Sequence, residues 1–166
     1  MSGAPSGRAR RSFCASSWAR RSLGSVRILA AAVVALTAAA VSAAQAPFTP
    51  TAAKDGVFTA AQAERGSDAY ATACAHCHAS DLQGDVRKGI PSLAESDFFV
   101  RWGNRSVGEL FGVISKDMPS DQPGSLTPRK SADILAYILS ANGFPPGSTE
   151  LPADVAQLKT ISIGTK

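Results

Sequence analysis

Acidic residues are missing from the first 46 positions of this chain, and histidine is nearly missing from all of it. The acid-free stretch holds six arginines: Arg8, Arg10, Arg11, Arg20, Arg21 and Arg27. All thirteen Asp and Glu lie beyond it, with eleven of the seventeen Lys and Arg. The net charge of +4 therefore belongs to the N-terminal stretch, and the remainder sits near −2. Such a remainder has no electrostatic footprint for nucleic acid, which excludes that class of partner. Beyond residue 46 the only cysteines and histidines are Cys74, His76, Cys77 and His78, and the only methionine is Met118. That region also lacks any apolar run near the ~20 residues a membrane helix needs.

What the first 46 residues do contain is an ordered leader pattern. The arginines come first. Residues 28–41 follow as a small-apolar run broken only by Thr37, and Ala44-Gln45-Ala46 supplies a small-x-small cleavage site. This order predicts a cleavable secretory signal over residues 1–46 and a periplasmic mature protein with no membrane span. A retained anchor is the alternative, for which the run is short and alanine-rich. Cys14 leaves with the leader, so Cys74 and Cys77 are the only thiols of the exported chain. That economy suits an oxidising compartment.

Those two thiols open the stretch Cys74-Ala75-His76-Cys77-His78, a C-x-x-C-H signature for covalent attachment of haem c. Thiols three positions apart lie on neighbouring rungs of one helical turn, so both can bond the vinyl edges of one porphyrin. His78, next in line, can then offer an imidazole nitrogen to the iron. Competing readings fit less well. Structural zinc wants four ligands around a tetrahedron, which five consecutive residues close with difficulty. A thioredoxin-like pair expects a preceding strand in an α/β pattern. A Cys74–Cys77 disulfide would staple nothing distant.

The surrounding pattern is helical. Residues 47–57, with Pro47, Pro50 and Gly56, read as an extended lead-in. Thr59-x-x-Gln62 is a capping-box pattern that opens a first helix to about Ala73. Gly66 inside that helix costs roughly 1 kcal/mol against alanine, which suggests close approach of another helix. Residues 81–89 are an exposed loop. Pro91 is either a rigid loop proline or the carbonyl that accepts from the Nδ1–H of His78. Phe98, Phe99, Val100 and Trp102 form an apolar cluster suited to the core at the haem edge. The indole N–H of Trp102 wants a partner, with a haem propionate as candidate and Arg101 or Arg105 as competing donors to it. Ser106 caps a helix from Val107 to about Lys116, with Leu110, Phe111 and Ile114 at helical spacing. Pro119 pushes Met118 out of that helix into extended backbone. A methionine among Asp117, Pro119 and Ser120 makes a poor core residue and a reasonable thioether ligand. Thr127-Pro128 starts a last helix that stops at Asn142-Gly143. The tail, residues 145–166, is either an extended strap with a helical turn near residues 153–158 or a frayed end.

Gly66 and Tyr70, then Cys74-x-x-Cys77-His78, Pro91, Met118-Pro119 and Tyr137 resemble, in that order, a class I c-type cytochrome over residues 58–144. The resemblance implies an all-α fold around one covalent haem c, with His78 and Met118 as iron ligands and Pro91 as carbonyl acceptor. It also implies that the first and last helices cross at a glycine–aromatic contact, here Gly66 and Tyr70 against Tyr137. Residues 98–143, with Trp102, Leu110-Phe111 and Pro123-Gly124-Ser125-Leu126, are more narrowly similar to cytochromes found with pyrroloquinoline-quinone alcohol dehydrogenases. The function so implied is single-electron transfer, from a dehydrogenase to an oxidase or another cytochrome, and not enzymatic turnover. Two other classes stay open: a haem subunit fixed in a larger dehydrogenase or oxidase complex, and a peroxidase or gas sensor with an open iron position.

Overall fold

Side-chain caps begin the three long helices. The structure, a computed structural model, describes residues 49–165, so the leader read over residues 1–46 lies outside the described residues. Thr59 Oγ1 accepts from the Gln62 N–H to open α1, Ala60–Ala73. Ser106 and Glu109 form a full capping box at the start of α4, Val107–Asp117. Thr127 accepts from the Lys130 N–H, with Pro128 at the first position of α5, Pro128–Ala141. Between them lie the single-turn α2, Ala75–His78, and α3, Glu95–Trp102, and the tail carries the short α6, Val155–Leu158. No strand is built among the described residues, only three isolated bridges. The fold is all-α.

The centre is the crossing of α1 and α5, the two helices in most extensive contact. A Cβ at Gly66 would sit 1.8 Å from the Asp133 carbonyl oxygen and 2.9 Å from Tyr137 Cβ, so only glycine allows this approach. Tyr70 and Tyr137 pack beside it with ring centroids 5.2 Å apart. Arg65 spans the crossing to Asp133 at 3.0 Å and to Glu150 at 2.8 Å. Ala132, Ile134, Leu135, Ala136, Ile138 and Leu139 of α5 are all buried, and Leu110, Phe111 and Ile114 of α4 join the same cluster.

Three local outcomes differ from the sequence reading. The capping box of α1 is half formed, because the Gln62 side chain is turned inward and 1% exposed. Its amide donates to the Leu151 carbonyl at 3.1 Å and its oxygen accepts from the Leu151 N–H at 2.7 Å. Burial among partners outcompetes the return bond to Thr59. The lead-in is not simply extended either. Residues Ala53–Asp55 make a 3-10 turn, and Ala53, Val57 and Phe58 are fully buried. Asn142, read as a stop signal, does more than end α5. Its Nδ2 donates to the Leu93 and Ile138 carbonyls, and its Oδ1 accepts from the Glu95 N–H. It thus ties the end of α5 to the start of α3.

The tail packs back across the body. Leu151, Leu158, Ile161 and Ile163 are each no more than 3% exposed. Ser162 joins the lead-in, with Ala53 N–H donating to Ser162 O at 2.8 Å and Ser162 N–H to Thr51 O at 2.9 Å.

Candidate functional site

Helix α1 runs straight into the C-x-x-C-H stretch. The Cys74 N–H donates to the Tyr70 carbonyl at 2.8 Å, and the chain turns there into α2. Within that turn the Cys77 and His78 N–H groups donate to the Cys74 carbonyl at 3.1 and 2.9 Å. The two thiols therefore bracket one helical turn, and both are free. Cys74 is half-buried and Cys77 is exposed. Burial first, and the neighbouring Cys77 second, push the Cys74 thiol up to about 11. It is a neutral thiol at neutral pH, whereas a thioredoxin-like redox pair depends on a lowered thiol pKa. The Tyr70 hydroxyl closes the turn by donating to the Ala79 carbonyl at 2.9 Å, with the His78 carbonyl 3.3 Å away. Sequence reasoning gave Tyr70 only its ring contact, and the lock on the motif's end went unread.

His78 is buried, with Nδ1 3.1 Å from the Pro91 carbonyl oxygen. A carbonyl only accepts, so Nδ1 carries a proton in this contact, and in the neutral ring the lone pair is left on Nε2. Pro91 is held from both sides of its loop. Gly84 N–H donates to the His78 carbonyl at 2.9 Å, and Leu93 N–H donates to the Leu82 carbonyl at 2.7 Å. Ser92, buried, has its hydroxyl 3.3 Å from the Leu82 carbonyl and 3.2 Å from that of Ala94. Ser92 supports the acceptor, and no sequence signal marked it.

Trp102 ends α3, is 5% exposed, and has a buried Nε1–H with no partner among the described residues. Arg105 lies over its ring, 5.2 Å from guanidinium carbon to centroid. Arg101 points elsewhere. It is exposed and lines an open groove of about 440 Å³ with Val86, Ile90, Pro91 and Val100. Val86 and Val100 are 80% and 86% exposed. Met118 follows α4 in extended backbone, φ −115° and ψ 149°, and is half-buried. The nine residues after it, 119–127, are mostly exposed.

These groups fit a haem c. Two thiols on one turn suit its vinyl edges, and the imidazole of His78 and the half-buried thioether of Met118 are kinds of donor that its iron would take. A buried indole N–H without an acceptor costs about 1–3 kcal/mol, and a propionate carboxylate is an acceptor of the right kind.

A comparison with protein-family models agrees. Residues 61–138 match the model described as cytochrome C oxidase, cbb3-type, subunit III. The match supports a class I c-type cytochrome domain over these residues. The cytochrome domain carries covalent haem c, and its helices make a small cytochrome c fold. The match begins inside α1 and ends inside α5, so it contains the crossing, the C-x-x-C-H stretch and Met118. It leaves out Asn142 and the strap. Searches of curated proteins and of solved structures found no match. Among the described residues no helix is long and apolar enough to cross a membrane.

Proposed function

We propose that the cytochrome domain is a periplasmic single-electron carrier, with haem attached to Cys74 and Cys77 and its iron held by His78 and Met118. The observation that carries this reading is His78: buried, directly after the second thiol, with Nδ1 committed to the Pro91 carbonyl. Bound haem supplies an iron that gains or loses one electron. The chain's part is to hold both ligands in both states. The Pro91 carbonyl fixes the His78 tautomer and makes Nε2 a stronger donor. The soft thioether of Met118 raises the potential above that of bis-histidine ligation. Trp102 would donate through Nε1 to a propionate, with Arg105 stacked on its ring and Arg101 at the nearby groove. The exposed Cys77 would bring a thioether-linked haem edge to the surface, where a redox partner could dock through a brief contact of small area. The leader pattern of residues 1–46 supports export, and the narrower resemblance of residues 98–143 supports a quinoprotein-type dehydrogenase as donor.

A second reading has an observation of its own. The matched family is named for a subunit of an oxidase, which favours a haem subunit fixed in a larger complex. Co-purification of stoichiometric partners from the native membrane fraction supports that reading, and a free protein in the soluble fraction removes it.

The ligand set is tested by optical spectra of the exported, haem-loaded protein. The oxidised form is expected to show the weak far-red sulfur-to-iron band, and the reduced form to resist carbon monoxide. Met118→Ala is expected to abolish the band, admit carbon monoxide and lower the potential. A band that survives Met118→Ala removes Met118 from the site and moves the sensor or peroxidase class ahead.

A further inference from the structure

The helix that ends at Met118 begins on the C-terminal strap. At its first residue the Val107 N–H donates to the Ile161 carbonyl at 2.8 Å. One residue on, a Cβ at Gly108 would stand 2.6 Å from the Lys159 backbone nitrogen, so α4 and the strap meet backbone to backbone. The turn between Trp102 and α4 is held the same way. Ile163 N–H donates to the Arg105 carbonyl at 2.9 Å, and Gly164 N–H to the Gly103 carbonyl at 3.1 Å. Leu158, Ile161 and Ile163 are each no more than 1% exposed beneath these bonds. The strap has anchors of its own: Leu151 on the Gln62 side chain of α1, and Ser162 on Thr51 and Ala53 of the lead-in.

On the other side of Met118 the chain is next held at Leu126, which packs against the core, and at Thr127, which caps α5. Residues 121–125 are exposed throughout. The backbone bonds of residues 119–126 run inside that stretch, from Gln122 N–H to the Pro119 carbonyl and from Ser125 N–H to that of Gln122, and only Thr127 is bonded onward, to Ser131 of α5. Met118 is therefore placed from the α4 side. Leu110, Phe111 and Ile114 fix which face of α4 turns inward. They do not fix its position along its own axis, because apolar contacts slide more easily than a backbone bond stretches. An α-helix transmits an axial shift at one end to the other, and α4, at eleven residues, spans about 16 Å.

We propose that strap residues 158–164 are positioning residues for the Met118 ligand: they set the height of α4, and so the reach of the thioether. The proposal rests on the His78/Met118 reading. It adds that a tail outside the matched segment tunes the strength of the sixth ligand.

The test uses full-length, haem-loaded protein and two perturbations of the strap. Deletion of residues 161–166 removes the bonds to Val107, Arg105 and Gly103. Gly108→Ala keeps the tail but forces it off α4. Ala61→Gly, at an exposed position of α1, serves as a control that lowers stability through helix propensity alone. Carbon monoxide samples the fraction of protein in which the thioether is released, so its association rate with the reduced protein reports ligand strength. Both strap variants are expected to bind it about tenfold faster than the unmutated protein, with a weaker far-red band and a lower potential. Ala61→Gly is expected to change none of these. Hydrogen exchange at the Val107 amide verifies that the strap is released. A released strap with an unchanged association rate and potential overturns the proposal, and so does an equal response to Ala61→Gly. If the deletion chain does not fold, Gly108→Ala decides by the same readouts. Rapid carbon monoxide binding by the unmutated protein is a separate result: it removes the His78/Met118 reading, and the strap's role with it.

Discussion

At Gly66, α1 meets α5 backbone against backbone; further along, at Cys74, the same helix ends among groups that the protein leaves open. The first stretch is answered from within. Gln62 is paired twice to Leu151, Arg65 reaches Asp133 and Glu150, and Gly66 lies against the Asp133 carbonyl. The second stretch offers two free thiols and an imidazole with one nitrogen engaged, and Trp102 of α3 adds an indole N–H without an acceptor among the described residues. One helix thus serves two masters with different tolerances. The crossing is finished by protein packing and sensitive to volume. The motif end is finished by a prosthetic group and sensitive to chemistry.

The sharpest way to separate the two is to remove the thiols. Cys74→Ser with Cys77→Ser is expected to abolish covalent haem altogether. Acidified solvent, which strips haem held without thioethers, is the check. Haem retained on that variant after extraction contradicts the assignment of both cysteines.

At the crossing the expected response is the reverse. Gly66→Ala places a methyl against the Asp133 carbonyl and forces α1 from α5, costing about 1–3 kcal/mol or more in denaturant unfolding. Haem remains covalently attached to whatever protein is recovered. A fully stable Gly66→Ala variant indicates that the crossing is slack, which undoes the contrast.

Gln62→Leu probes the link between crossing and strap. It fills similar space but strips both partners from the buried Leu151 backbone, for an expected loss of about 1–3 kcal/mol by denaturant titration. A change below the error of the titration shows that Leu151 finds water, and that the strap is looser there than its burial indicates.

The smallest expected effect is at the cap of α4. Hydrogen bonds from the Ser106 N–H and hydroxyl hold the Glu109 carboxyl below its ordinary value. The folded pKa is the lower one, so this stabilisation is fully present above the unfolded carboxylate range. It is lost as pH falls through the folded value. Glu109→Gln keeps a capping-box side chain and is expected to leave neutral-pH stability nearly unchanged while flattening this acidic slope. A slope unaltered by the substitution assigns the acid sensitivity to other carboxylates.

Local chemistry made much of this legible in the sequence. Thr59, Ser106 and Thr127 mark helix starts because a side-chain oxygen satisfies a nearby N–H, an interaction contained within a few residues. Gly66 announced a close approach, Pro119 announced the release of Met118 from α4, and the C-x-x-C-H spacing announced haem. The Pro91 carbonyl stood as one of two readings and lies 3.1 Å from His78 Nδ1. What stayed hidden depends on partners far along the chain. Nothing near Gln62 says that its amide will prefer Leu151, 89 residues away, to Thr59. Nothing near Asn142 points to Leu93 and Glu95, and the burial of Val57 and Phe58 needs a tail that the lead-in does not contain. The sequence points to Arg101 for the haem site, with Arg105 as a competing propionate donor, and nothing near Arg105 shows that it would lie over the Trp102 ring.

The pairing of Ser162 with the lead-in has a mechanical consequence. Ala52 and Ser162 face each other in parallel, and Ser162 exchanges backbone bonds with Thr51 and Ala53. A pull that draws residue 51 backward and residue 163 forward loads those bonds lengthwise, in shear, so they share the force and do not open one after another. Tension between the two flanks of the domain is carried by this short clasp. The same strap is bonded to the start of α4 through Ile161 and Val107, so tension on the C-terminal flank that the clasp does not hold passes to the helix that ends at Met118.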